Sequence, residues 1–184
     1  MRLVRMLAVG VVAAAGLVSA PAFADPATAN SIQLGLGFRY GIEMNSGNVN
    51  PWGIGLGLDG GYTLPNAVYL GGNIEYFFGD SAGDDINGLK INIWQLSAEG
   101  GYDIGLGPIF VLRPKLGLGL ANTHEKLCAL GACASDTTSN FALLPGVTFM
   151  VMPPGFNLSA DLRYELIFAD EVEKALLIAV GIGF

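Results

Sequence analysis

The stretch from Ile32 to Met44, I-Q-L-G-L-G-F-R-Y-G-I-E-M, alternates without a break: every even-numbered position is apolar or Tyr, and every odd one is Gly or polar. Successive side chains of a strand point to opposite sides, so a period of two is the mark of a β-strand. One face carries Ile32, Leu34, Leu36, Phe38, Tyr40 and Ile42; the other carries Gln33, Gly35, Gly37, Arg39, Gly41 and Glu43. The last segment of the chain repeats the pattern. Leu176, Ile178, Val180, Ile182 and Phe184 fall on one side, and Ala175, Ala179, Gly181 and Gly183 on the other. The first and last strands read as neighbours that close a ring.

Six further strands are expected between them, at about Trp52 to Leu64, Ala67 to Phe78, Leu89 to Ile104, Ile109 to Ala121, Asn140 to Met152 and Phe156 to Phe168. The connectors alternate in length. Short ones lie at Pro65-Asn66, Gly105 to Pro108 and Pro153 to Gly155, and longer ones around residues 45–51, 79–88, 122–139 and 169–173. Short turns at one end and long loops at the other are the arrangement of an outer-membrane barrel, and an even strand count puts both termini on the periplasmic side. In the fourth strand Ile91 and Ile93 are out of phase with Leu96, Ala98 and Tyr102. A β-bulge near Gln95 would reconcile them.

Alternation does not say which face is inside, because a soluble lipocalin-like barrel alternates too. Residue size and charge decide it. The chain is 52% hydrophobic and only 14% charged, whereas roughly a quarter of residues are charged in a typical soluble domain. The bulky face therefore needs lipid to cover it, and the face rich in glycine suits the narrow interior of an eight-stranded barrel. Two aromatic girdles are expected, with Tyr62, Tyr102, Phe110, Phe156 and Phe184 near the periplasmic ends and Trp52, Tyr76, Phe78, Trp94 and Phe168 near the outer ends.

The N-terminus agrees with export. Arg2 and Arg5 precede an apolar run from about Leu7 to Val18, and Ala22-Phe23-Ala24 forms an A-x-A cleavage site. Residues 1–24 are read as a signal peptide and 25–184 as the barrel domain, with cleavage after Ala24 and a second candidate cut after Ala20. Pro21 interrupts the run before it is long enough to span a bilayer. Loss of Arg2 and Arg5 leaves seven basic against sixteen acidic residues, a net charge of −9. Nucleic acid is excluded as a partner on that ground. Cys128 and Cys133, in CALGAC, are an even count in an exported chain and read as a loop-stapling disulfide. Zinc lacks ligands, since only His124 is near.

On these residues the chain resembles the small outer-membrane barrel family that includes the OmpA membrane domain and OmpX, over essentially all of residues 25–184. The most specific element is the terminal strand ALLIAVGIGF. The resemblance implies that its outward residues Leu176, Ile178, Val180, Ile182 and Phe184 are the signal read by the barrel-assembly machinery. It also implies an all-β, antiparallel up-and-down transmembrane barrel in the bacterial outer membrane, in contact with lipid and lipopolysaccharide.

Candidate chemistry lies on the inward face. Alternation assigns to the lumen the acids Glu43, Asp59, Glu75, Glu99, Asp161 and Glu165 and the bases Arg39, Arg113, Lys115 and Arg163. Isolated charges in so narrow a space are costly, so ion pairs are expected. They form either a polar plug or the wall of a narrow conduit, and the plug is favoured because an eight-stranded interior is just wide enough for its own side chains. His124, beside Glu125, has no serine at short spacing to complete a hydrolytic site. The run GLGLDG, Gly55 to Gly60, matches G-x-G-x-x-G but continues a strand instead of opening a helix. Asp80, Asp84 and Asp85 lack the spacing and closing Glu of a calcium loop.

No catalytic residue, cofactor or metal is therefore expected. The leading expectation is a non-enzymatic barrel with an envelope-structural or surface-contact role, its 122–139 loop the most distinctive exposed feature. A narrow channel for ions or small solutes is second, and a lipid-modifying enzyme third.

Overall fold

The computed structural model describes residues 27–45, 50–79, 81–83, 88–129 and 132–184. The segment read as a signal peptide and the loop acids Asp80, Asp84 and Asp85 lie outside the described residues. Eight long strands form the wall: β1 Ser31–Glu43, β2 Gly53–Thr63, β3 Val68–Phe77, β4 Gly88–Tyr102, β5 Phe110–Ala129, β6 Ala132–Val151, β7 Asn157–Phe168 and β8 Val172–Gly183. Two short pieces, Ser81–Gly83 and Ile104–Gly105, lie against the ends of β4 and β5. Each strand pairs antiparallel with the next, and β1 pairs with β8 from Gly35↔Gly183 to Glu43↔Ala175, so the sheet closes on itself. Leu34 and Phe184 add two further backbone hydrogen bonds, of 2.8 and 3.0 Å, at the end of that seam.

Closure leaves two surfaces of opposite chemistry. Ile32, Leu34, Leu36 and Phe38 of β1 are 53–71% exposed, and the other strands repeat this outward apolar row. A continuous apolar belt on this scale is covered by lipid, not water. Exposed aromatics flank it: Tyr62, Tyr102, Phe110, Phe156 and Phe184 at the end where β1 begins and β8 ends, and Tyr76, Phe78, Trp94 and Phe168 at the loop end.

Three sequence expectations are corrected. Trp52 does not join the outer girdle: it is 1% exposed, inside the barrel. Gly53 explains this, because its left-handed backbone (φ 57°) breaks the alternation just before β2 and turns Trp52 inward. Gly41 makes the room, since a Cβ there would stand 2.3 Å from that of Trp52. Second, β4 has no bulge. Its register runs unbroken from Gly88↔Cys128 to Gly101↔Lys115, and Ile91 and Ile93 are simply inward, inside an apolar layer. Third, the expected 122–139 loop is a β-hairpin. β5 and β6 stay paired to Ala129↔Ala132, each 20 residues long, about twice what a membrane strand needs.

Candidate functional site

The lumen is layered along the barrel axis. At the terminal end Arg113 clamps Asp103 with Nε and Nη2, at 2.5 and 2.8 Å. The same carboxylate accepts hydroxyl hydrogen bonds from Thr28 and Thr63, at 2.5 and 2.9 Å. Gln33 accepts from Arg113 at 2.9 Å, and the guanidinium lies 3.6 Å from the centre of the Tyr69 ring. Thr28 precedes the first strand, so the chain entering β1 folds across this end of the barrel.

The middle layer holds one continuous network. Arg39 donates to Glu75 and to Asp59, both at 2.5 Å. Glu75 also accepts from Arg163, which pairs with Asp161 at 2.6 Å. Lys115 bridges Glu99 and Asp161 at 3.0 and 3.1 Å. Asn73 donates to Glu99 at 2.7 Å, and Thr148 donates to Asp161 at 2.7 Å. Removing a charge from water costs several kcal/mol, and here nearly every carboxylate meets a cation on a strand one to several places around the ring. Next to this network is a cavity of about 60 Å³, lined by Gln33, Arg39, Asp59, Tyr69, Lys115 and Asp161 among others. It has room for a few waters.

Above the network Glu165 is fully buried. It accepts from Trp52 Nε1 at 2.9 Å and from Gln95 Nε2 at 2.7 Å, and among the described residues it has no ion pair. Over it, towards the loop end, Phe77, Ile93, Leu144, Ile167 and Leu177 pack with Trp52 and three alanines into a dry layer. Each of these side chains is at most 1% exposed. The barrel is thus charged below and sealed above.

Of the ten charged residues that alternation points inward, Glu165 lies above the network and Glu43 stands apart from the closed lumen. It sits half-buried at the loop-end mouth, facing Glu173 with Glu125 nearby. Asp103 is the charged residue that the sequence reading left out. It continues the odd-numbered inward row of β4 after Glu99 and Gly101, and only its nearness to a turn hid it. The neutral partners Gln33, Asn73 and Gln95 carry the same odd-numbered signal.

Outside the lumen, Cys128 and Cys133 are directly opposed near the tip of the β5–β6 hairpin and bonded, with Cα atoms 4.1 Å apart. His124 contacts Thr137 Oγ1 through Nδ1 at 2.9 Å. No serine or carboxylate completes a hydrolytic arrangement with it among the described residues, and no three metal-ligating side chains there converge. The outward row Leu176, Ile178, Val180, Ile182 and Phe184 lies on the lipid-facing side of β8 beside β1.

The profile of the outer membrane protein beta-barrel domain matches residues 10–184. Among solved structures, the attachment invasion locus protein Ail of Yersinia pestis is similar at a TM-score of 0.55 and 17% identity, over 84% of this chain and 99% of Ail. The Neisserial surface protein A, NspA, is similar at 0.52 and 17%, over 83% of this chain and 94% of its own. The N-terminal β-barrel domain of Pseudomonas aeruginosa OprF is similar at 0.50 and 18%, over 84% and 98%. At these identities the likeness is one of fold. No curated protein matches the sequence.

Proposed function

The chain belongs to the outer membrane protein beta-barrel family, and from that premise we propose that it is a closed, non-enzymatic barrel of the bacterial outer membrane that acts by surface contact. Its signal peptide is removed after Ala24, and its terminal strand, ending on Phe184, is read by the barrel-assembly machinery. Both mature termini face the periplasm and the long hairpins face outward. The lumen network holds the barrel's shape, and the dry layer above Glu165 keeps solutes from crossing.

One observation carries this reading. β6 pairs with β5 along its whole length, but its pairing with β7 begins only at Phe141↔Phe168. The segment 132–140 is therefore a sheet edge that projects from the barrel, with one side of its backbone unpaired among the described residues. Such an edge is a template for an added strand from an extended partner segment. The disulfide ties β5 to β6 at the tip. Structures of Ail include a complex with the heparin analogue sucrose octasulfate, an instance of a related barrel meeting a ligand.

The test is a photo-crosslinking amino acid placed at Thr137 on intact cells, compared with the same probe in a barrel whose hairpin is shortened by removing residues 125–136. Crosslinks to extracellular protein made by the full hairpin, and lost on shortening while the barrel still assembles, are expected. Equal capture by both would sink the reading.

A further inference from the structure

The register of the outer hairpin fixes which backbone groups of β6 face outward along its edge. Cys128 and Cys133 are cross-strand partners with Cα atoms 4.1 Å apart. That is the short spacing of an antiparallel pair that exchanges no hydrogen bonds, against about 5.5 Å for a pair that does. The two kinds of pair alternate along a ladder, so Cys133, Ser135, Thr137 and Ser139 turn their N–H and C=O groups away from β5. They face the side on which β7 has already ended, at Phe168.

One of these edge groups is covered. Asp136 Oδ1 accepts from the Thr137 amide at 2.9 Å, so a carboxylate of the strand itself occupies a donor of the free edge. A charge placed in this way blunts an edge against indiscriminate pairing. The covering carboxylate belongs to an acidic row, since Asp136 is the cross-strand partner of Glu125 on the axis-facing side. Two residues nearer the tip the same face is apolar, with Leu89, Leu127 and Ala134 in line across β4, β5 and β6. At the other end of the edge, the turn from β7 to β8 carries Asp170 and Glu171, both exposed.

The rest of the loop end has the same sign. Glu43 and Glu173 stand on the axis-facing parity of their strands with Glu125 close by, and the connector between β3 and β4 contains Asp80, Asp84 and Asp85. Against these nine carboxylates stand three lysines, Lys90, Lys126 and Lys174, each on the lipid-facing parity of its strand. A strand that joins the edge therefore meets acids on its axis-facing side, and on its other side the hydroxyls of Ser135, Thr137 and Ser139.

We propose that the segment added to this edge is an extended cationic peptide with Lys or Arg on its axis-facing side, and that a cation draws the Asp136 carboxylate off the Thr137 amide as the backbones pair. The inference rests on the surface-contact reading of the hairpin and names the chemistry of the partner. In an antiparallel addition an apolar side chain falls beside Ala134, a cation beside Asp136 and a second cation beside Thr138, towards Asp170 and Glu171. Opposite charges placed across strands stabilise the pairing, and the partner's backbone bonds to the edge groups of Ser135 and Thr137. Asp136 is thus a selective cover: a neutral or acidic strand competes with it for the amide, whereas a basic one removes it.

The purified barrel, isotope-labelled and held in lipid nanodiscs, is titrated with the peptide Thr-Lys-Thr-Lys-Thr-Val-Thr, with its analogue carrying Gln for both Lys, and with the Lys peptide N-methylated on alternate backbone nitrogens. Amide shifts report binding and its place. The Lys peptide is expected to shift residues 133–139, Thr137 foremost, and the Gln peptide to bind the same edge about 3- to 10-fold more weakly for the loss of two cross-strand charge pairs. The N-methylated peptide, equal in charge, leaves these amides unmoved. In a barrel with Glu125→Gln and Asp136→Ala the Gln peptide binds at least as well as to wild type, because Thr137 is uncovered, and the Lys peptide loses most of its advantage. Both side chains are exposed, so the variant folds, with the heat-dependent gel shift as the control. Equal binding of the Lys and Gln peptides to wild type, or an undiminished Lys preference in the variant, would overturn the charge selection and leave the edge reading intact. Equal shifts from the N-methylated peptide would overturn strand addition itself. No shift at 133–139 with any peptide would also overturn the proposal, and hairpin-dependent crosslinks that persist on cells would then leave the surface-contact reading standing with a partner of other chemistry.

Discussion

At the scale of single residues, Trp52 decides whether the barrel is open. Its indole fills the space over Glu165 and donates to that carboxyl at 2.9 Å, and it reaches this place only because Gly53 reverses the strand parity. Wild type is expected to be electrically silent in a planar bilayer. Trp52→Ala removes the largest side chain of the dry layer and strips Glu165 of a donor. It is expected to cost about 3–5 kcal/mol in unfolding free energy and to produce discrete conductance steps. Steady conductance by wild type would instead favour a channel, and a silent, equally stable variant would show that the layer closes without Trp52. Arg163 is the residue on which the middle layer turns, since it contacts Glu75, Asp161 and, more distantly at 3.7 Å, Glu99.

At the scale of elements, the outer part of β6 is supported on one side only, while β5 stays paired with β4 up to Gly88↔Cys128. Below Phe141 both strands are held on two sides, but above it β6 is held by β5 alone. Cys128–Cys133 closes this outer part with a bond at its tip. Reduction is expected to raise backbone hydrogen exchange over about residues 132–138 and to leave β5, which β4 holds up to Cys128, and the strands below unaffected. A general rise in exchange throughout the barrel would contradict this independence. This one-sided support of residues 132–140 explains why the segment offers an edge for contact at small cost to the stability of the whole.

At the scale of the whole molecule, closure of the ring removes every edge within the membrane and satisfies the backbone there. The outward apolar rows then meet lipid, and the inward charges meet each other. Protein extracted from outer membranes is expected to migrate differently on a denaturing gel before and after boiling, with a mature N-terminus at Asp25 by intact mass. Recovery from the soluble periplasm, or a mass that retains residues 1–24, would contradict the assignment of barrel and leader. The two ends of the molecule also differ in kind. One is closed by Thr28, Asp103 and Arg113, and the other by apolar side chains beneath an acidic mouth.

What the sequence by itself determined is the barrel: strand count, closure of the last strand on the first, the lipid-facing side and the inward row of charges. Each follows from a period of two repeated over eight segments, with residue size and charge deciding which face meets lipid. Only the tertiary structure decided which charges meet, because partners such as Arg163 and Glu75 lie 88 residues apart and on strands that are not neighbours. It also decided where periodicity misleads. Ile91 and Ile93 look out of phase until the dry layer inside the barrel is seen, and Trp52 looks lipid-facing until the backbone of Gly53 turns it inward. The outer half of the β5–β6 hairpin alternates with no apolar side to reveal it, and only the pairing of its strands with each other and with β4 makes it a sheet.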